Sequence, residues 1–492
     1  MTLPLHFPLL SLLVALPLVG APLCLLARDE RLARTIALLT AALALLAALV
    51  ALGAFDAALS DFQLLHRLPW IPGLGVDWFV GVDGLSILFL PATTLLFLAA
   101  LVVSGRALSP APGVYYACVL LLEGATLGIF CALDTLLFFF FWELTLLPLY
   151  CLVGMWGLAG SGPRAATRYF LLMLGGGVPL LLAFLVLASH AGMSFDLPSL
   201  LAAPPGRDIQ ILVFLLFLVG FGVKVPLVPL HTWLPSLALG GPAAVTALVV
   251  GMKLGVYGLL RFAIPLAPVA AQDMHWLLAG LGTLGILYGA VATTAQSNLR
   301  GVVAYGSISH VGLALLGLAS FSAAGLQATV LLLLGLTLAT GGSFLLLAGL
   351  QRRIGTTDLT ALSGVRQRMP RLAGFFLLFG LAGMGMPGTI GFPAEFLIVV
   401  TTLQEHSGAA LAALFGMIVG AGAFLGPYRS AFFGPLRPGA VAESDDLTPR
   451  EFAVALVFAV LLIGAGLFPG VLLDVLRVSA EAWANRLSLT TG

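Results

Sequence analysis

The sequence predicts an all-α membrane protein that crosses the bilayer about fourteen times. Of its 492 residues, 60% are hydrophobic and only 9% are charged, whereas soluble domains carry about 25% charged residues. Apolar segments of about 20 residues, the length that spans a bilayer, recur over the whole chain. They lie near residues 5–27, 33–55, 81–104, 113–131, 133–156, 168–190, 209–236, 242–266, 274–296, 300–319, 322–351, 372–402, 408–433 and 452–474.

The N-terminal part, residues 1–112, combines plain spans with one polar segment. The first two spans are rich in Leu and Ala, and no basic n-region or A-x-A site precedes a cleavage point, so we expect a retained first span. Segment 61–83 contains Trp70, Trp78 and several prolines, which is typical of an interfacial loop with an aromatic belt. Asp83 marks the entry to the third span.

The basic residues predict orientation, because cytoplasmic loops carry an excess of arginine and lysine. With fourteen spans, one side holds most of the arginines and is predicted to be cytoplasmic, which leaves both termini outside. The arginines of that side are Arg28, Arg31, Arg34, Arg106, Arg164, Arg168, Arg300, Arg352, Arg353, Arg366, Arg368, Arg371, Arg429, Arg437 and Arg450; the other side holds Arg67, Arg207, Arg477 and Arg486.

Carboxyl groups lie inside the fourth and fifth spans, where a charge is costly and usually functional. Glu123 occurs in L-L-L-E-G-A, and Glu143 follows four phenylalanines and Trp142. A carboxylate in such an apolar setting needs a cation nearby, and Lys224 is the obvious candidate. The alternative is a purely structural ion pair, although buried pairs are weak evidence of stabilisation.

The seventh span contains F-G-V-K-V-P-L-V-P-L-H-T-W-L-P, in which Pro226 and Pro229 follow Lys224. Proline breaks a helix, and a lysine beside a broken membrane helix indicates an ion pathway. Only two lysines occur in the chain, and both lie in spans; unlike arginine, a buried lysine can release its proton. His231 could relay protons or satisfy backbone groups that the prolines leave free.

The eighth to tenth spans add two more ionisable residues and one misleading motif. The eighth span carries Lys253, and the tenth carries His310 in Y-G-S-I-S-H. His310 could serve a proton relay or make a structural hydrogen bond. Residues 280–285 match G-x-G-x-x-G but follow no strand, so the nucleotide-binding interpretation fails. Small residues at this spacing instead allow close packing of membrane helices.

The twelfth span, G-M-G-M-P-G-T-I-G-F-P-A-E-F, is broken by Pro387 and Pro393 and carries Glu395. It parallels the seventh span, five spans earlier. Blocks of five spans have opposite topologies, which predicts two inverted repeats with one broken helix each. The predicted division is an N-terminal part (1–112), a first repeat (113–266), a second repeat (267–433) and a C-terminal loop, helix and tail (434–492).

Five motifs together resemble the antiporter-like membrane subunits of respiratory complex I, most closely the subunit M group. They are F-F-F-F-W-E-L-T-L-L-P, K-V-P-L-V-P-L-H-T-W-L-P, M-K-L-G-V-Y-G-L-L-R-F, A-Y-G-S-I-S-H-V-G and P-G-T-I-G-F-P-A-E-F. The resemblance covers nearly the whole chain. It implies that Glu143 and Lys224 form a coupled pair, that Lys253 continues the path, and that Glu395, a lysine in most sister subunits, favours subunit M.

Three positions depart from the pattern of that family. Residues Ser236–Pro242 lack the usual acid and histidine, Leu336 replaces a central histidine, and Asn298 opens a divergent D-x-K-R motif. These departures leave the parent complex open. The alternatives are an Mrp-type cation/proton antiporter subunit and an energising subunit of a membrane hydrogenase or inorganic-carbon uptake complex.

The expected function is proton translocation within a redox-driven NADH:quinone oxidoreductase in the bacterial cytoplasmic membrane. The candidate residues are Glu123, Glu143, Lys224, His231, Lys253, His310 and Glu395. We expect no cofactor and no redox chemistry in this chain itself, since no flavin, iron–sulfur or quinone site is evident. The expected partners are the lipid bilayer and other membrane subunits, including sister antiporter-like subunits; no basic patch indicates nucleic acid.

Overall fold

The computed structural model describes residues 8–104, 111–436 and 439–489. Arg106 and Arg437, which contribute to the orientation argument above, lie outside these ranges. The N-terminal part consists of helices and one β-hairpin. Its elements are α1 (Leu9–Leu25), α2 (Glu30–Ala54), β1 (Gln63–Ile71), β2 (Val76–Val82), α3 (Gly84–Ile87) and α4 (Phe89–Val103).

Two series of helices follow and make up most of the molecule. The first series is α5 (Pro112–Cys131), α6 (Thr135–Leu144), α7 (Leu146–Trp156), α8 (Gly162–His190), α9 (Leu197–Ala202), α10 (Arg207–Lys224), α11 (Trp233–Gly240), α12 (Ala243–Met252), α13 (Leu254–Gly258) and α14 (Ile264–Leu266). The second is α15 (Pro268–Asp273), α16 (His275–Thr294), α17 (Leu299–Ala319), α18 (Ala323–Ile354), α19 (Val365–Arg368), α20 (Pro370–Gly383), α21 (Gly391–Glu405) and α22 (Ser407–Phe433). The chain then forms α23 (Ala440–Glu443), α24 (Pro449–Leu467) and α25 (Gly470–Leu489).

The helices confirm a multi-pass membrane protein. Within the described ranges, 11 helical segments are long and apolar enough to cross a membrane, and α1 and α20 are shorter apolar helices. The 32-residue helix α18 is the centre of the bundle, because its whole apolar window is buried. A helix that is apolar on every side belongs in such a core. Helices α2, α22 and α24 instead bury only 28–33% of their apolar windows, as lipid-facing helices do.

The segment 61–83 is a β-hairpin, so the prediction of an interfacial loop is wrong about its local structure. Strands β1 and β2 pair antiparallel, with Arg67 opposite Phe79 and Leu68 opposite Trp78. The chain reverses through a 3₁₀ turn that ends at Gly75, whose φ of 67° suits glycine. The prolines suggested a loop, but proline is compatible with an exposed strand at a sheet edge.

Both predicted helix breaks are confirmed. Helix α10 ends at Lys224, and after a 3₁₀ turn α11 begins at Trp233. Helix α20 ends at Gly383 and α21 begins at Gly391. The eighth span contains a third break that the sequence did not indicate, because Lys253 itself lies between α12 and α13 with a φ of 48°.

The glycines of residues 280–285 confirm the helix-packing interpretation. A Cβ atom on Gly282 would lie 2.8 Å from the carbonyl oxygen of Gly312, and a Cβ atom on Gly285 would lie 3.3 Å from the Cα of Gly312. Helices α16 and α17 therefore approach each other backbone to backbone, which only small residues allow.

The C-terminal segment also differs from the prediction. Helix α24 ends at Leu467 rather than near 474, and the predicted tail is helix α25. The indole Nε1 of Trp483 donates to the carbonyl oxygen of Leu260 at 3.1 Å. The hydroxyl oxygen of Ser479 accepts from the amide of Gly84 at 3.0 Å. The apolar face of α25 is thus packed on the bundle, which explains why this polar stretch is ordered as a helix.

Candidate functional site

Lys224 lies at the C-terminal end of α10, where the helix dipole favours a cation. Its Nζ donates to Oγ1 of Thr145 at 2.9 Å and approaches the carbonyl oxygen of Trp142 at 3.5 Å. The same Nζ lies 4.0 Å from the centroid of the Trp142 ring. Three groups from the α6–α7 junction thus stabilise the ammonium inside the helix bundle.

Glu143 occupies the last turn of α6, whose N-terminus is capped by Asp134 through the amides of Leu136 and Leu137. It makes no ion pair with Lys224 in this structure, although Trp142 and Thr145 on either side both contact the lysine. Within the described chain, its Oε1 has no hydrogen-bond partner. A Cβ on Gly177 of α8 would lie 2.3 Å from that oxygen, so a glycine is what leaves room for the carboxylate.

Lys224 and Lys253 line one cavity of about 40 Å³. A cavity needs roughly 10–15 Å³ to hold one water, so this cavity has room for water between the two lysines. Its wall also includes Thr145 and Tyr169. Lys253 donates a hydrogen bond to Oγ of Ser307, which belongs to α17. The break at Lys253 thus connects the lysine cavity to the tenth span.

His310 and Glu395 line a second cavity, of about 70 Å³. His310 lies three residues after Ser307, about one helical turn away on α17. Glu395 is buried, and neither carboxylate oxygen has a hydrogen-bond partner among the described residues. Gly385, at a φ of 67°, leaves space for that carboxylate, because a Cβ there would lie 2.2 Å from Oε2. The order along the site is therefore Lys224, Lys253 with Ser307, His310 and Glu395.

Two candidates from the sequence stand apart from both cavities. Glu123 is fully buried in α5, and its neighbours Leu122 and Thr126, rather than Glu123 itself, line the lysine cavity. His231 lies in the 3₁₀ turn after the first break, where its Nε2 is 2.9 Å from the hydroxyl of Tyr288. Neither residue is brought into contact with Lys224, Lys253 or Glu395.

Sequence reasoning missed the groups that contact the ionisable residues. Thr145 and Trp142 hold Lys224, while Gly177 and Gly385 make space for the two glutamates. The motif W-E-L-T offered a signal for Trp142 and Thr145, since both flank Glu143. Glycines are so frequent in this chain, 58 in all, that no pattern singles out these two.

Comparison with known proteins assigns the family. Residues 132–420 match the family described as "NADH:quinone oxidoreductase/Mrp antiporter, TM", which is more than half of the chain. The chain belongs to this family of membrane subunits. It is 33% identical to NADH-quinone oxidoreductase subunit M of Pseudomonas aeruginosa, over 96% of each protein. The matched region contains every candidate residue except Glu123.

Solved structures agree with that assignment. A chain of respiratory complex I from Thermus thermophilus superposes with a TM-score of 0.89 at 34% identity, covering 97% of this chain and 99% of that one. A chain of the Mrp complex from Dietzia sp. superposes with a TM-score of 0.86, covering 99% of each chain. Its identity is 22%, so this second likeness shows the shared fold alone.

Two of the three departures from the family pattern meet in space. Asn298 caps α17, and the buried guanidinium of Arg300 donates to the carbonyl oxygen of Gly241 at 2.9 Å. Gly241 lies in the divergent stretch Ser236–Pro242, just after α11. The third departure, Leu336, is a buried residue of α18. Arg300 thus holds the end of α11 through the backbone, a contact that requires no acidic side chain in that stretch.

Proposed function

We propose that this chain translocates protons as the subunit M component of a redox-driven NADH:quinone oxidoreductase. The observation that carries the proposal is the series of buried and half-buried ionisable groups across two cavities, from Lys224 through Lys253 and His310 to Glu395. Relatives named as subunit M match over almost the full length, which supports this parent complex over an Mrp-type antiporter. The chain contributes no redox chemistry; the energy comes from other subunits.

In the proposed cycle, Glu143 and Lys224 pair in one state and separate in another. The present arrangement, in which Thr145 and Trp142 hold the ammonium, corresponds to the separated state. Loss of the counter-charge favours release of a proton from Lys224, because burial penalises an unpaired charge. The proton passes to Lys253, then by way of His310 to Glu395. Moving one charge against 100 mV requires about 2.3 kcal/mol.

We further propose fourteen spans, with both termini outside the bacterial cytoplasmic membrane, and two inverted five-helix repeats over 113–266 and 267–433. The breaks at Lys224 and before Glu395 lie in the spans that such repeats would relate. The N-terminal part (1–112) and the C-terminal part (434–492) flank the repeats. Sister antiporter-like subunits and lipid are the proposed neighbours of the exposed apolar helices. Glu123 and His231 have supporting roles.

Replacing Lys224 by alanine tests the function. In native membranes, we expect NADH-driven quinone reduction and proton pumping to fall together by at least about tenfold, since a proton-transfer group contributes at least that much. Arg207→Gln is the matched control, because Arg207 begins the same helix and pairs with Asp273 at the surface. Unchanged pumping and turnover in an assembled Lys224→Ala complex would contradict the proposal.

A further inference from the structure

A large cleft lies on the side of the molecule that carries the β-hairpin, and it shares no lining residue with the two cavities of the site. It has a volume of about 650 Å³ and is bordered by the hairpin, α9 and α25. Arg67 and Asp196 lie at its edge and pair with each other at 3.3 Å. Asp83, Arg261 and Trp483 also line it. By the proposed topology, this cleft faces the outside.

Asp83 and Arg261 form a buried ion pair at this cleft, with side chains only 9% and 7% exposed. The contact is bidentate: Nη1 donates to Oδ2 at 2.7 Å and Nη2 to Oδ1 at 2.5 Å. Oδ1 also accepts from the amides of Leu85 and Ser86, which it caps at the start of α3. The carboxylate is therefore saturated with donors, and the guanidinium is held in one orientation.

Aromatic rings lie behind the ion pair. The hydroxyl of Tyr257 accepts from Nε of Arg261 and donates to the carbonyl oxygen of Phe130, both at 3.2 Å. The ring of Phe130 lies 4.8 Å from the rings of both Tyr257 and Phe89. Tyr257 comes four residues after Lys253 and four before Arg261, so it separates the lysine cavity from the ion pair along the eighth span.

Helix α25 holds both partners of the ion pair in place. Ser479 binds the amide of Gly84, next to Asp83, and Trp483 binds the carbonyl of Leu260, next to Arg261. These two residues are four apart, on one face of the helix. Gly84 allows the close approach, since a Cβ there would lie 2.5 Å from the carbonyl oxygen of Val475. The C-terminal helix thus connects two segments that are far apart in the sequence.

We propose that the Asp83–Arg261 pair and the Tyr257, Phe89 and Phe130 rings form an outer seal, clamped by α25, that stops protons at Lys253 from leaving through the cleft. The proposal rests on the proposed function, because a pump must close one side of its site while the other is open. A buried arginine remains protonated, and the bidentate contact with Asp83 holds it in place, so the pair blocks this side without taking up or releasing a proton. The aromatic rings exclude the water that would carry them. In this proposal the five residues block the path of the proton, and none of them carries it.

The test uses the whole complex reconstituted in vesicles, with two separate measurements. One is proton pumping per NADH oxidised; the other is the passive decay of an imposed pH gradient with no NADH present. For Asp83→Asn, we expect turnover within about twofold of wild type, less than half the protons per NADH, and gradient decay at least about threefold faster. Trp483→Phe keeps an aromatic ring but removes the hydrogen bond to Leu260, and should show a smaller leak of the same kind.

Trp276→Phe is the control, because Trp276 is 62% exposed at the start of α16. Trp483→Phe also keeps the test informative if Asp83→Asn fails to assemble. Wild-type decay and pumping ratios in both variants would overturn the seal. Turnover and pumping that fall in proportion, with unchanged decay, would also overturn it and would instead assign the ion pair to the proton path. Since decay is measured without NADH, it is independent of whether Lys224→Ala supports the proposed function.

Discussion

The helix break after α10 and the helix break after α20 each combine two prolines with one ionisable residue, yet they hold that residue differently. Lys224 is the last residue of α10, and Thr145 and Trp142 bind its ammonium. Glu395 lies four residues into α21, after the break, and within the described chain no group binds its carboxylate. One break fixes a charge, and the other leaves a proton-binding group facing a cavity.

This difference indicates that the break after α10 and the break after α20 have different roles in proton transfer. A cation with fixed partners holds its position until something displaces those partners. A carboxyl group with no fixed partner, beside a cavity of about 70 Å³, can exchange a proton with water that enters. We therefore expect control of the cycle at Lys224 and proton release at Glu395.

The largest effect is expected for Glu395→Gln, which keeps the size of the side chain but removes the exchangeable proton. Pumping per assembled complex should fall at least about tenfold, because a transfer group is lost from the path. The control is Glu405→Gln, at the exposed end of the same helix. The measurement is NADH-driven acidification in vesicles. Pumping within twofold of wild type would show that Glu395 and the break before it are not part of the proton path.

A smaller, purely steric effect is expected for Gly385→Ala. Gly385 and Gly388 have φ angles of 67° and 88°, so alanine costs roughly 1–2 kcal/mol of backbone strain at either position. Only at Gly385 would the new Cβ overlap the Glu395 carboxylate, since nothing lies within 4 Å at Gly388. We expect Gly385→Ala to slow pumping about fivefold to tenfold and Gly388→Ala to leave pumping per assembled complex within twofold. Equal effects would show that strain, rather than the carboxylate contact, matters here.

The smallest effect is expected for Thr145→Val, which removes the hydroxyl that binds Lys224. A hydrogen bond to a charged group contributes roughly 1.5–3 kcal/mol. Because the ring and the carbonyl of Trp142 still contact Lys224 in the variant, we expect turnover to fall only threefold to fivefold. Thr94→Val is the matched control, because Thr94 is buried and bonds only to its own helix. If the two variants had equal turnover, the Thr145 contact would not control the lysine.

Local sequence was enough to predict most of the helices, the breaks after α10 and α20, and the ionisable residues inside the spans. An apolar run long enough to span a bilayer is visible in the sequence, closely spaced prolines with glycines or an ionisable residue mark a helix break, and a charge within an apolar run stands out against its neighbours. These features depend on short stretches of chain. The hairpin was missed because prolines and tryptophans are compatible with both a loop and an edge strand.

Composition and local pattern by themselves thus determined that the chain is a multi-pass helical membrane protein with broken helices at Lys224 and before Glu395. Only the tertiary structure decided which groups meet. Ser307 lies 54 residues from Lys253 and binds it, Trp142 lies 82 residues from Lys224, and α25 reaches Gly84 from the other end of the chain. Such contacts depend on how helices pack in three dimensions, and the periodicity of a single helix records only which face is apolar.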